Sequence, residues 1–473
     1  MENYYHSVTL DSNSCKGCTH CIKKCPTEAI RIKKSKAKII KERCIDCGEC
    51  IRVCPHHAKR AVTDPLSMID DYEYKVVLPS PCLYGQFNNL DDVNIVLMAL
   101  LNMGFDKIFE VAKAAEIVSD ITRSYVNKSQ VDKPVISSAC PTIVRLISVR
   151  FPELLDKLLP FHAPIELAAK MARKEALEET GLPSEKIGIF FITPCPAKNT
   201  AVKSPLGMDH SEVDGVIAIK EIYPPLLAQM KKIIDTDEIA SAGRIGINWG
   251  SSGGEATAVM NDRYLAADGI ENVIKVLEDM EDEKFTDLDF VELNACPGGC
   301  VGGVLTVENP YIAKAKLKRL SKLRPVACNR INKNCDFPVE SIKEEPIAYK
   351  PVMQLDSDRT IAMHMMKDIQ EIESRLYGID CGSCGAPTCR AYAEDVVRGF
   401  ATEDGCIYRL REEVQQLSQE MMTLAGKLPQ AMSLESSNND YDNDNDKEKN
   451  KKVKTLNRNN PIRRSNIKKT SKE

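Results

Sequence analysis

"CKGCTHCIKKCP" (residues 15–26) returns twenty-nine residues later, in altered form, as "CIDCGECIRVCP" (residues 44–55). Both copies space their cysteines as C-x2-C-x2-C-x3-C-P. Three cysteines this close can hold three irons of one cubane, and the fourth, just before proline, reaches the neighbouring cluster. The spacing therefore assigns Cys15, Cys18, Cys21 and Cys54 to one [4Fe–4S] cluster, and Cys44, Cys47, Cys50 and Cys25 to a second. A zinc ribbon would need one set of four cysteines, whereas these two sets interlock. Such a unit carries single electrons.

The unit, residues 1–62, resembles bacterial two-cluster ferredoxins over its whole length. It is a small part of a chain of 473 residues, long enough for two or three domains with buried cores. The composition, 43% hydrophobic and 28% charged, is that of a globular protein. A net charge of −4 gives no basic field for nucleic acid. No apolar run is long enough for a membrane span, and "MENYYHSVTLDSNS" lacks a signal-peptide layout. The expectation is a cytoplasmic protein with no nucleic-acid or membrane partner. In a reducing compartment, 19 clustered cysteines and only seven histidines point to thiolate-bound iron–sulfur centres, not disulfides or imidazole sites.

From 65 to 345 short β-rich runs alternate with longer helical ones, the pattern of an α/β domain. "YKVVLPS" (74–80), "KIGIFFITP" (186–194) and "RIGINWG" (244–250) read as buried strands. "IELAAKMARKEALEET" (165–180) and "AVMNDRYLAADGIENVIKVLEDM" (258–280) carry helical periodicity. Residues 346–370 form a connector, and 371–407 hold a third cysteine cluster. Residues 408–432 follow, of which 408–428 read as an amphipathic helix. The tail, 433–473, has too few apolar residues to offset ordering entropy and is expected to be disordered.

Four cysteines of the middle domain stand in "SSACP" (137–141), "TPCPAK" (193–198) and "NACPGGCVGG" (294–303). Each lies beside Pro or Gly where a strand ends or a helix begins, and such loops bring backbone N–H groups and thiolates close to a ligand. Gly298, Gly299, Gly302 and Gly303 let a bulky inorganic centre approach the backbone. These loops, in this order and spacing, resemble the signature segments of the [FeFe]-hydrogenase catalytic domain over residues 65–325. The resemblance implies a two-lobed α/β domain holding an H-cluster: a [4Fe–4S] cubane bridged to a di-iron subsite with CO, cyanide and azadithiolate. It makes Cys140, Cys195, Cys296 and Cys300 the cubane ligands, with Cys300 the bridge. It gives Lys198 the catalytic and cofactor-binding role of hydrogen-bonding a cyanide ligand, and makes Pro79, Ser80 and Pro194 contacts of the same centre. The fold class is then α+β multidomain: a ferredoxin-like unit, an H-cluster domain, and a small C-terminal 4Fe–4S domain.

The chain also departs from the family. Fast members carry a proton-relay cysteine immediately before the first ligand, and here that residue is Ala139. Relay carboxylates fall at Ile121 or Thr122 and at Ala201, and a relay serine near Leu159. Flanking methionines become Thr193 and Asn294, and the third glycine of a GGG run is Val304. A positioned proton donor is worth roughly 10²–10⁴-fold in rate. Losing a chain of them should slow turnover while sparing metal ligation.

Cys381, Cys384, Cys389 and Cys406 follow C-x2-C-x4-C-x16-C, which suits [4Fe–4S] or zinc. The segment resembles the cluster domain of corrinoid iron–sulfur proteins, which implies [4Fe–4S]; sensory hydrogenases carry a similar module. Cys82 is either a substitute proton carrier or a structural residue, and Cys328 and Cys335 read as structural or incidental. The helix after Cys406 is a solvated surface helix or one that docks a partner or pairs with itself. The reading is a slow, sensory H2-binding oxidoreductase served by hydrogenase maturation proteins and by ferredoxin or another redox or signalling protein. The alternatives are a ferredoxin-linked catalytic hydrogenase and an iron–sulfur electron-transfer or assembly protein without the di-iron site.

Overall fold

The computed structural model describes residues 5–331 and 338–427. Cys335 and the 433–473 tail lie outside the described residues. Among the described residues, those through Leu410 form one compact unit and 411–427 belong to a second.

At the N-terminus, strand Val8–Leu10 pairs antiparallel with Lys59–Ala61, and Ile30–Lys33 with Lys36–Ile39. Each cysteine triplet runs into a one-turn helix, His20–Lys23 or Glu49–Arg52. The apolar core here is thin: Val8, Ile22, Ile30, Ala37 and Ala58 packed among the cysteines themselves. A unit of about 60 residues with so little aliphatic content is marginal alone, so metal ligation must contribute to its folding.

The middle region contains two parallel sheets. The first has four strands in the order Lys107–Ile108, Tyr74–Pro79, Ile187–Thr193, Gly215–Ala218. Every residue of Ile187–Thr193 is buried, because helices cover both faces, as parallel sheets require. Phe190 and Ile192 face helices Val93–Leu101 and Ile219–Met230. Ile187, Ile189 and Phe191 face helices Val111–Val126 and Pro164–Thr180. The second sheet runs Tyr264–Asp268, Phe290–Asn294, Val135–Ile136, also parallel. It packs on helices Pro141–Arg150 and Ile270–Glu281.

Two expectations need correction. "RIGINWG" is not a strand: Arg244–Asn248 is a short helix. Gly246 packs so closely that a Cβ would meet the Ala112 carbonyl oxygen at 2.0 Å. Its Gly and Ile content reflects that helix-to-helix approach, which a short apolar run does not distinguish from a strand. The helix read across 258–280 begins only at Ile270. Met260 (φ 56°) and Gly269 (φ 82°) break the helical path, and Tyr264–Asp268 between them joins the sheet edge.

The C-terminal cysteine module packs on the ferredoxin-like unit. Arg31 grips Asp395 through two hydrogen bonds of 2.6 and 3.1 Å, both side chains nearly buried. Arg43 reaches Glu394 at 2.6 Å, and the Ile32 N–H donates to the Gly385 carbonyl at 2.8 Å. Gly385 allows this approach, since a Cβ there would lie 2.2 Å from the Ile32 oxygen. Helix Arg359–Ser374 crosses the expected boundary at 370 and packs Ile369 and Ile372 on Ala393 of helix Cys389–Val397.

Helix Ile407–Ala425 buries none of its residues. Among the described residues no helix is long and apolar enough to cross a membrane.

Candidate metal centres

Cys140 caps helix Pro141–Arg150 just beyond strand Val135–Ile136, and Cys195 caps Pro196–Lys203 directly after Ile187–Thr193. Cys296 follows strand Phe290–Asn294, and Cys300 opens the short turn Cys300–Gly302. The four therefore sit at the carboxyl ends of parallel strands from both sheets, where open α/β folds place ligands. The fold brings them together. Lys198 Nζ lies 3.5 Å from Cys300 Sγ, and burial pushes the Cys140, Cys195 and Cys296 thiols up, Cys195 to about 11. Burial opposes the charge on Lys198 too, but the Cys300, Cys195 and Cys140 thiolates hold it charged, above its ordinary range. Four half-buried sulfurs gathered round one lysine make a donor set that fits an iron–sulfur centre, whose irons would hold them as thiolates.

Beside the cysteines lies a cavity of about 630 Å³, lined among others by Ser80, Pro81, Ala139, Lys198, Asn294 and Cys300. The loop carrying Cys300 packs tightly on neighbouring backbone through glycine: a Cβ on Gly303 would meet the Pro194 oxygen at 2.2 Å, and one on Gly299 the Ser252 nitrogen at 2.4 Å. The cavity leaves room for a bound group beside the Cys300 sulfur at its edge. Pro79 ends its strand and Pro194 supports the Gly303 turn, so Ser80 and Lys198 are the two expected contacts that line the cavity. Cys82 is fully buried with Sγ 3.1 Å from Ser80 Oγ.

Two lining residues escaped the sequence reading. Ser137 Oγ donates to Glu255 at 2.7 Å and accepts from the Ala139 N–H at 3.2 Å. Glu292 accepts from the Gly253 and Ala256 N–H groups and from Asn294 Nδ2 at 2.6 Å. Burial, with the Glu292 charge second, pushes Glu255 up to about 8, and burial raises Glu292 as well. The two carboxyls come from helix Gly254–Ala258 and strand Phe290–Asn294, distant in sequence and outside any cysteine motif. The one available signal was a lone Glu two residues before Asn294, in a strand otherwise apolar. Ile121, Thr122 and Leu159 are buried apolar or hydroxyl positions, and Ala201 lines a second cavity that shares Ala139 and Lys198.

In the N-terminal unit, Cys15, Cys18, Cys21 and Cys54 line one pocket of about 290 Å³, and Cys25 lies in the electrostatic field of Cys44, Cys47 and Cys50. Lys59 also lines the pocket, and its buried Nζ has no hydrogen-bond partner. A buried ammonium needs an anionic neighbour, which thiolate-ligated clusters supply. Cys381, Cys384, Cys389 and Cys406 line a pocket of about 390 Å³. The ferredoxin-like unit bridges the two other centres. Thr19 and Ile22 pack on Gly382, while Gly48 packs on Val304 and Arg52 donates to the Gly302 carbonyl at 2.8 Å.

The iron-only hydrogenase large subunit, C-terminal domain, matches residues 73–264 and 254–304. A 4Fe-4S dicluster domain matches 7–55, and an FeS cluster family matches 376–408. The NADP-reducing hydrogenase subunit HndD of Solidesulfovibrio fructosivorans is 25% identical over 43% of this chain and 44% of its own length. Iron hydrogenase 1 of Clostridium pasteurianum is 24% identical over 47% of this chain and 46% of its own length. The chain thus spans less than half of either relative. The periplasmic [Fe] hydrogenase large subunit of Nitratidesulfovibrio vulgaris is 24% identical over 63% of this chain and 86% of its own length. A solved structure of [FeFe]-hydrogenase HydA1 from Chlamydomonas reinhardtii aligns at 15% identity and TM-score 0.41, over 52% of this chain and 83% of that one. With the three cysteine loops converging on one site, a 4Fe-4S dicluster domain before it and an Fe-S cluster domain after it, the chain belongs to the [FeFe]-hydrogenase family.

Proposed function

We propose that this protein binds H2 at an H-cluster, turns over slowly, and passes electrons through three [4Fe–4S] clusters to a redox or signalling partner. The observation that carries the reading is Ala139 in the cavity wall. Its methyl group faces the space where fast relatives need a relay thiol, while the ligand cysteines and Lys198 are all kept. In this reading Cys140, Cys195, Cys296 and Cys300 would hold the cubane, and a di-iron subsite beside Cys300, inserted by maturation proteins, would supply heterolytic H2 chemistry. Lys198 would orient that group through its ammonium. Ser80 and Pro81, both buried, form part of the cavity wall. The packing order supports a linear electron route: the centre at Cys300, then the Cys44 set, the Cys15 set, and the Cys381 set.

One observation favours the second reading, a working hydrogenase coupled to ferredoxin. Ser137, Glu255 and Glu292 supply a titratable group to the same cavity by another route, so proton supply is reduced but not abolished. Infrared spectroscopy of protein matured with the di-iron subsite, followed by steady-state H2 assays, tests the proposal. CO and cyanide bands with low turnover are expected. Turnover matching fast hydrogenases would establish the second reading, and absence of the bands would leave an electron-transfer or assembly protein.

A further inference from the structure

Ile407, Leu410, Val414, Leu417, Met421 and Leu424 recur along helix Ile407–Ala425 at intervals of three and four. Each is between 48% and 64% exposed. These are three successive a/d pairs of a heptad repeat, with Ile, Val and Met at a and Leu at every d. β-Branched residues at a with Leu at d select two parallel strands over three or four. A lone helix of this length is marginal in water, and this one buries no residue to offset that cost.

We propose that the helix pairs in parallel with the same helix of a second copy of this chain, making the protein a homodimer. The flanking charges support a self-pair and set its direction. In the parallel arrangement the g residues Glu413 and Glu420 face Ser418 and Ala425 of the other copy, so no like charges meet. Arg411, at e, faces the end carrying Cys406, a thiolate in the cluster reading. In the antiparallel arrangement Glu413 faces Glu420 twice, a repulsion. Covering the six apolar side chains on both copies removes on the order of 1,000 Å², the lower edge of a specific interface. The dimer is therefore concentration-dependent, with the two Cys406 ends side by side.

This inference rests on the helix alone and stands or falls apart from the H2 reading. The test is anaerobic sedimentation of the cluster-loaded full chain from low to high micromolar concentration. A concentration-dependent shift from one to two chain masses is expected, with slower amide exchange over 407–425 as the dimer forms. Leu417→Glu, at a d position, should give a monomer with unchanged cluster absorbance, and Gln416→Glu, at c, should leave the dimer intact. A monomer at every concentration overturns the proposal, as does a Leu417→Glu dimer. A monomer with 407–425 protected would mean that residues 428–473 or a different protein cover the stripe, which also overturns it. Glu413→Lys that tightens the dimer would overturn the parallel arrangement.

Discussion

Glu255 offers the most direct test of how protons reach the buried site. Its carboxyl lines the cavity, holds the Ser137 hydroxyl at 2.7 Å, and is raised from 4.5 to about 8 by burial and by Glu292. Near neutral pH it is mostly protonated, a fit state for a proton donor. H2 evolution should then be flat below pH 8 and fall above it, while H2 uptake, which needs the carboxylate as acceptor, should rise towards pH 8. Glu255→Gln keeps the shape and the hydrogen bond to Ser137 but carries no exchangeable acid. A positioned acid is worth roughly 10²–10⁴-fold, and with Ala139 already breaking one path the lower end, about 10²-fold, is expected in both directions. The assay is steady-state turnover against pH, with infrared bands as a check that the site is loaded. The same substitution should alter stability. A folded-state pKa above the unfolded value makes the fold lose stability as pH rises between the two, so the Gln variant should lose less between pH 5 and 8 than the parent. Unchanged turnover and an unchanged pH profile, with intact bands, would refute a relay through Glu255.

Ala139→Cys should raise turnover, by less than Glu255→Gln lowers it, because Ile121 and Leu159 still close the outer path; a fall with intact infrared bands would show that the thiol cannot reach a relay position. Asp395→Ala leaves the Arg31 guanidinium buried and unpaired, which costs about 3–5 kcal/mol. Thermal unfolding should show early release of the C-terminal module, with faster amide exchange in 28–33 and 385–397, and identical curves would refute the docking role. Metal analysis of matured protein should give about four [4Fe–4S] units, counting the H-cluster cubane, plus two further irons. Zinc at Cys381–Cys406 would overturn that cluster assignment.

The N-terminal cysteine sets were legible because ligand spacing is local: C-x2-C-x2-C fixes geometry within a few residues, and the repeat made the interlocking visible. The Cys140, Cys195, Cys296 and Cys300 set, spread over 160 residues, was legible only through a family resemblance. The strands 74–79 and 187–193 were equally plain, since burial on both faces leaves an unbroken apolar run. What the sequence hid was everything decided by long-range packing. Position 246 is glycine because the Ala112 carbonyl oxygen lies 2.0 Å from where a Cβ would be, and nothing nearby in sequence announces Ala112. Glu255 and Glu292 meet only after two elements fold onto one cavity. Arg31 and Arg43 look like ordinary surface cations in a basic stretch until Asp395 and Glu394 arrive from the other end of the chain.

That last contact sets an order of events during synthesis. Arg31 and Asp395 are 364 residues apart. At 5–20 residues per second, the N-terminal unit emerges from the ribosome roughly 20–70 s before its docking partner exists. For that interval the face carrying Arg31, Ile32 and Arg43 is open to solvent and to any carrier that delivers iron and sulfide. Its thin core makes early loading of the first two clusters the event that keeps it folded. The later-made module then closes over a unit already filled, so a ribosome stalled before residue 395 should yield a nascent chain whose N-terminal clusters are loaded but still open to chelators.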